Sequence, residues 1–117
     1  MTNKIVKYIN TQIEGGYVYK RYATGNEAGK PDLTGVFRGY RLEFEVKSKS
    51  REPSGLEALR LRLLDSSLGS DFKAFYELGL SIASKRQAYW IKRFSSLGAI
   101  SGVVFDLRDI DIYLSYF

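Results

Sequence analysis

The sequence predicts one mixed α/β domain over residues 1–117, a central sheet flanked by helices, and three observations predict it. Several segments repeat apolar residues at helical spacing. Others are short, β-branched or aromatic, and alternate with period two. The two kinds run in the order α-β-β-β-α-(α)-α-β-α, which suits a layered sandwich with a mixed sheet.

Each element has its own signal. Residues 3 to 14 place Ile5, Val6, Ile9 and Ile13 on one helix face, and Gly15-Gly16 stops the pattern. Residues 17 to 22, YVYKRY, read as a strand, and 23 to 30, ATGNEAGK, as a loop. Leu33 to Phe37 and Tyr40 to Lys47 flank Arg38-Gly39, a two-residue hairpin turn. Ser54-Gly-Leu-Glu57 resembles a capping box, followed by Leu56, Leu59, Leu63 and Leu64 at helical spacing. Residues 72 to 82 suit a helix through Phe72, Phe75, Tyr76 and Ile82. Ser84-Lys-Arg-Gln87 is a second capping box, opening a helix with Ile91, Phe94 and Leu97 that Gly98 ends. Residues 101 to 106 form a short strand, and Asp106 caps a last helix carrying Ile110, Tyr113 and Leu114.

Composition narrows the chemistry. With 44% hydrophobic and 15% aromatic residues the chain belongs among folded proteins. It has no cysteine, which excludes disulfides and thiolate zinc sites. It has no histidine, so proton transfer falls to carboxylates, lysine, tyrosine or serine, and a metal would be oxygen-bound. Eighteen Lys+Arg against 13 Asp+Glu give a net charge of +5, which favours a polyanionic partner, nucleic acid first. No apolar run approaches the roughly 20 residues that span a bilayer, and Met1-Thr-Asn-Lys-Ile5 lacks a signal-peptide core. The expectation is a cytoplasmic protein with no membrane partner.

The stretch GKPDLTGVFRGYRLEFEVK, residues 29 to 47, concentrates the acids. If Arg38 and Gly39 form the turn, Leu33 faces Phe44 and Asp32 faces Glu45. Opposed residues of an antiparallel pair point to the same side. Glu43, Glu45 and Lys47 share that side, while Leu42, Phe44 and Val46 point into a core. Two opposed carboxylates destabilise a sheet unless one is protonated, a cation intervenes or a divalent ion binds both. A hard, oxygen-loving ion would suit, with Lys47 close enough to act on a water or a phosphate. Glu45-Val46-Lys47 alone also fits a solvated strand face, and Pro31 alone fits a strand start.

Gly29-Lys-Pro-Asp32, a hairpin, then Glu45-Val-Lys47 resembles the PD-(D/E)xK nuclease superfamily, and more narrowly its virus-type replication–repair nuclease (VRR-NUC) domains. Gln87 opening a helix that ends at Gly98, before Gly102-Val-Val-Phe105, fits the same pattern. The resemblance covers roughly residues 3 to 114. It implies a restriction-endonuclease-like αβββαβ core and a metal-dependent DNA endonuclease. Asp32, Glu45 and the main-chain carbonyl of Val46 would hold Mg2+ or Mn2+, Lys47 would be the catalytic lysine, and Gln87 would support the site. Small stand-alone members are similar to homodimeric Holliday-junction resolvases, so branched or four-way-junction DNA is the implied substrate. Flap, nicking or end-processing activity and a non-catalytic basic DNA-binding module are the alternatives. Two departures stand out. The first helix offers Asn3, Lys4 and Glu14 where members often carry a glutamate, and residues 51 to 83 form an extra helical insertion.

Other residues have two readings each. Lys20, Arg21, Lys30, Lys49 and Arg51 flank the site in sequence and would suit DNA phosphates, or are solvated charges. Tyr17, Tyr19 and Tyr22 could stack on bases or pack on an edge strand. The Leu56/Leu59/Leu63 stripe reads as added core, or as a dimerisation or DNA-facing surface. Gln87 could serve the site, close its capping box, or do both.

Overall fold

The hairpin turn sets the register on which the rest of the sheet is built. Arg38 and Gly39 both have positive φ, 47° and 88°, the paired left-handed turn whose twist matches that of its strands. Phe37 therefore pairs with Tyr40 and Leu33 with Phe44, as the two-residue turn predicts. This computed structural model describes residues 1–22, 28–66 and 69–116, so most of the loop expected at 23 to 30 lies outside the described residues.

Strands β1 (Gly16–Lys20), β2 (Leu33–Phe37), β3 (Tyr40–Val46) and β4 (Ile100–Val104) form a sheet in that spatial order. β1, β2 and β3 are antiparallel neighbours, and β4 runs parallel to β3. The helices are α1 (Thr2–Gln12), α2 (Leu56–Asp65), α3 (Gly69–Leu80), α4 (Lys85–Ser96) and α5 (Leu107–Ser115). The mixed α/β order is the one the sequence predicts. None of these helices is long and apolar enough to cross a membrane.

One sheet face holds the apolar core. Val18, Leu33, Leu42, Phe44, Ile100 and Val104 are buried there, facing Ile5 and Ile9 of α1 and Tyr113 of α5. The Phe44 and Tyr113 rings lie 5.4 Å apart. Gly102 is required at this point: a Cβ there would stand 2.2 Å from the Tyr113 hydroxyl. α4 covers the β3–β4 half of the opposite face with Ile91 and Phe94. α3 touches both layers, through Phe75 against Tyr113 at 5.6 Å and Tyr76 hydrogen-bonded to Ser95 of α4 at 3.0 Å. It thereby shields the outer edge of β4, where a bare strand would be an aggregation template.

Several boundaries and caps differ from expectation. β1 ends at Lys20 and β4 at Val104, each two residues early. The capping box expected at Ser54 does not form: Gly55, at φ 90°, is the N-cap of α2, with no side-chain cap. Glu57 is drawn instead to Arg60 and Arg108. The box at Ser84 forms fully, and Asp106 caps α5 by accepting from Arg108 N. Leu56, Leu59 and Leu63 are core as expected, whereas Leu64 and Leu97 are exposed, since each lies off its helix's buried stripe.

Candidate functional site

Chain alternation places a line of polar residues on the sheet face that carries α4. Along one row, Arg21, Asp32, Glu45 and Val103 lie side by side. Pairing continues beyond β1, because Arg21 N donates to Asp32 O at 2.7 Å. Asp32 sits at the mouth of β2, exposed, after the buried Pro31. Its Oδ2 accepts from Val46 N at 3.0 Å, which ties the acid to the end of β3. The solvated-strand reading of Glu45 fails here, because α4 lies over it and leaves the residue 4% exposed.

Glu45 is the perturbed group. Burial, then the charge of Asp32, pushes its carboxyl up from 4.5 to about 7, with Lys47 pulling the other way. Its Oε2 accepts from Gln87 Nε2 at 3.0 Å and lies 3.7 Å from Lys47 Nζ. Its Oε1 is buried with no hydrogen-bond donor. Lys47 Nζ donates to Gln87 Oε1 at 3.0 Å. That same oxygen accepts from Ser84 N at 3.0 Å, and Gln87 N donates to Ser84 Oγ at 3.1 Å. The capping-box reading of Gln87 holds, and the same amide contacts Lys47 and Glu45. It caps α4 and also grips the lysine and the glutamate.

The donor set accommodates a hard cation in part. Asp32 and Glu45 offer two carboxylates at the ends of adjacent strands, and Glu45 Oε1 is an acceptor with nothing to accept from. Val46 follows Glu45 at the end of β3, with its N–H on Asp32 Oδ2. Among the described residues no group of three or more His, Cys, Asp or Glu side chains converges. α1 carries no carboxylate at all, so Asn3, Lys4 and Glu14 complete nothing there. Such a site would rely on backbone and water oxygens for its remaining ligands, as magnesium sites do.

A second acid, Glu43, sits one step along β3 on the same face, and sequence reasoning gave it no partner. It is fully buried. It accepts from Thr34 Oγ1, pairs with Arg41 Nε at 2.9 Å, and has Oε1 2.8 Å from Arg21 Nη1 in an ion pair. Arg21, expected at DNA phosphates, is thus largely held inside, where it also donates to Pro31 O at 2.8 Å. The pairing rule that placed Asp32 beside Glu45 also places Thr34 beside Glu43. That was the available signal.

The other basic residues separate. Lys20 is exposed on β1 and Arg51 is exposed after β3. Lys30 Nζ lies 4.8 Å from the centre of the Trp90 ring. Lys49 is occupied by Glu52 and Asp106 at 3.1 and 2.9 Å. Tyr17, Tyr19 and Tyr22 are all exposed.

Comparison of the chain with models of protein families, with curated proteins and with solved structures gave no match.

Proposed function

We propose that the chain is a metal-dependent DNA endonuclease of the PD-(D/E)xK type, VRR-NUC-like, with α1, β1, β2, β3, α4 and β4 as a restriction-endonuclease-like αβββαβ core. One observation carries this reading. A buried glutamate keeps an unsatisfied oxygen beside a second carboxylate, with a lysine and a glutamine locked against it. Buried polar atoms normally find partners, so an unsatisfied one asks for a ligand. Perturbed acids in such a position are functional candidates.

The roles follow from placement. Asp32, Glu45 and the Val46 carbonyl would hold Mg2+ or Mn2+. When bound, the ion polarises a phosphoryl oxygen and lowers the pKa of a coordinated water. Gln87 fixes the Lys47 amine beside Glu45, where it can orient or deprotonate an attacking water, or meet charge developing on the phosphate. Partition of a symmetric four-way junction between two copies of the chain, one cut each, is the substrate reading adopted here. It rests on likeness of motif.

Purified protein assayed on four-way, flap and linear duplex DNA, with Mg2+, Mn2+ or EDTA, tests it. The expected result is divalent-dependent cleavage of the junction, abolished in Glu45→Ala and cut about 10²–10⁴-fold in Lys47→Ala, with binding retained. Cleavage confined to flaps, nicks or ends would move the substrate and keep the chemistry. Intact DNA under every condition, with binding unchanged in both variants, would leave a non-catalytic basic DNA-binding module.

A further inference from the structure

α4 covers only half of its sheet face, and the uncovered half is aromatic and basic. Tyr17 and Tyr19 project from β1 at 57% and 55% exposure, and Tyr22 follows at 84%. The Tyr17 and Tyr19 ring centres are 6.4 Å apart. A depression of about 560 Å3 opens there, lined among the described residues by Tyr19, Lys20, Arg21, Tyr22, Thr34 and Arg41, three of them basic. Beneath it the buried Glu43 pairs with both Arg21 and Arg41 and holds them in place. Both guanidiniums also stand near the Phe94 ring, at 5.7 and 4.7 Å.

We infer that this half-face binds unpaired nucleotides, stacking their bases on Tyr17 and Tyr19 while the depression takes the adjoining phosphate. Flat exposed rings beside fixed cations suit single strands, whose bases are free to splay out. A duplex keeps its bases stacked on each other and offers these rings nothing. The position matters as well. Tyr19 shares a row with Thr34 and Glu43, and Asp32 and Glu45 occupy the next row on the same strands. Strand spacing and a two-residue step put Tyr19 roughly 12 Å from Glu45, within a few nucleotides of the proposed cut. The inference rests on the nuclease reading only for where that cut falls. Among branched DNAs it selects those with unpaired residues next to the scissile bond, a flap or a four-way junction opened at its branch point, over a fully paired junction.

The test is binding without chemistry. A fluorescein-labelled ten-nucleotide oligothymidylate and a ten-base-pair duplex are titrated by anisotropy in EDTA at matched salt. Tyr17→Ala/Tyr19→Ala is expected to weaken single-strand binding about tenfold or more, the scale of base–aromatic stacking, and duplex binding less than twofold. Tyr17→Phe/Tyr19→Phe keeps the rings and keeps the affinity, which also guards against a folding artefact. Equal loss for both probes, or no loss, overturns the proposal. So does a tyrosine variant that changes the sedimentation of free protein from dimer to monomer, since a second copy would then cover the face. A cleavage-dead wild type that still shows the tyrosine effect would sink the nuclease reading alone.

Discussion

Glu45 and Asp109 are both buried acids, and the difference between their neighbours separates a site from a strut. Asp109, on α5, is fully buried and every oxygen is used. Its Oδ1 accepts from Arg60 Nε at 2.6 Å, and its Oδ2 from Arg60 Nη2 at 3.2 Å and Phe105 N at 2.9 Å. The buried Arg60 reaches on to Glu52 and Glu57, each at 2.5 Å. Arg108 and then Arg60 hold the Glu57 carboxyl down at about 2. Burial pushes Asp109 up, and Arg60 works against it. Burial pushes Glu45 up too, but the next contributor is another acid, Asp32, in the same direction. Burial lifts both carboxyls, and it is their neighbours that differ. A charge ringed by donors braces α2 against α5, while a carboxyl beside a like charge, with one oxygen unmatched, is the one proposed above to take a cation.

The contrast breaks most directly by removing each acid. Glu45→Ala is expected to take divalent-dependent cleavage to background, and Lys47→Ala to cost about 10²–10⁴-fold, with melting temperatures near wild type in EDTA. Asp109→Ala is expected to lower stability by roughly 3–5 kcal/mol, because Arg60 then keeps a buried charge short of its best partner. Denaturant unfolding reads this directly. A stable Asp109→Ala protein would make the network ornamental.

Glu45→Gln sharpens the comparison from the other side. Without divalent ions at pH 8 it is expected to stabilise the protein by about 1–3 kcal/mol, on the scale of a raised pKa at 1.36 kcal/mol per unit. The sign follows from proton binding. Folded Glu45 keeps its proton up to about pH 7, while the unfolded chain releases it near 4.5. Wild-type stability in EDTA therefore falls as pH rises from about 4.5 to 7 and levels off above. Thermal melts across that range should show the slope, and Glu45→Gln should lack it. Manganese should raise the melting temperature of the wild type at pH 8 and leave Glu45→Gln nearly unmoved.

Gln87→Ala is the smallest change. It removes one half of a capping box, worth about 1 kcal/mol, and releases Lys47. Cleavage is expected to fall roughly tenfold, the value of one hydrogen bond. Gln87→Glu keeps a side-chain acceptor for Ser84 N and places a third acid beside Glu45. A variant that restores the cap without restoring cleavage would separate the two duties of this side chain.

The legible part of this protein is local. Turn chemistry at Arg38-Gly39 fixes the pairing, and pairing fixes which residues share a face, so Asp32 beside Glu45 followed from the chain alone. Helical spacing located the five helices, and the Ser84 box located the start of α4. Where a signal depended on partners far along the chain, it misled or was absent. Ser54 looked like a cap, but Glu57 serves Arg108, 51 residues away in sequence. Arg21 reads as a phosphate ligand, and its ion pair with Glu43 across the sheet is not visible in the chain order.

What the sequence determined by itself is order and alternation: which elements form, which strand residues look the same way, and that two acids meet at the hairpin's end. Only the tertiary structure decided that α4 would lie over Glu45 and stop short of Tyr17 and Tyr19. Desolvation belongs to whatever covers a group, and the cover here arrives from 42 residues away in sequence, in Gln87. The same strand face is thereby dry and acidic at one end and wet, aromatic and basic at the other.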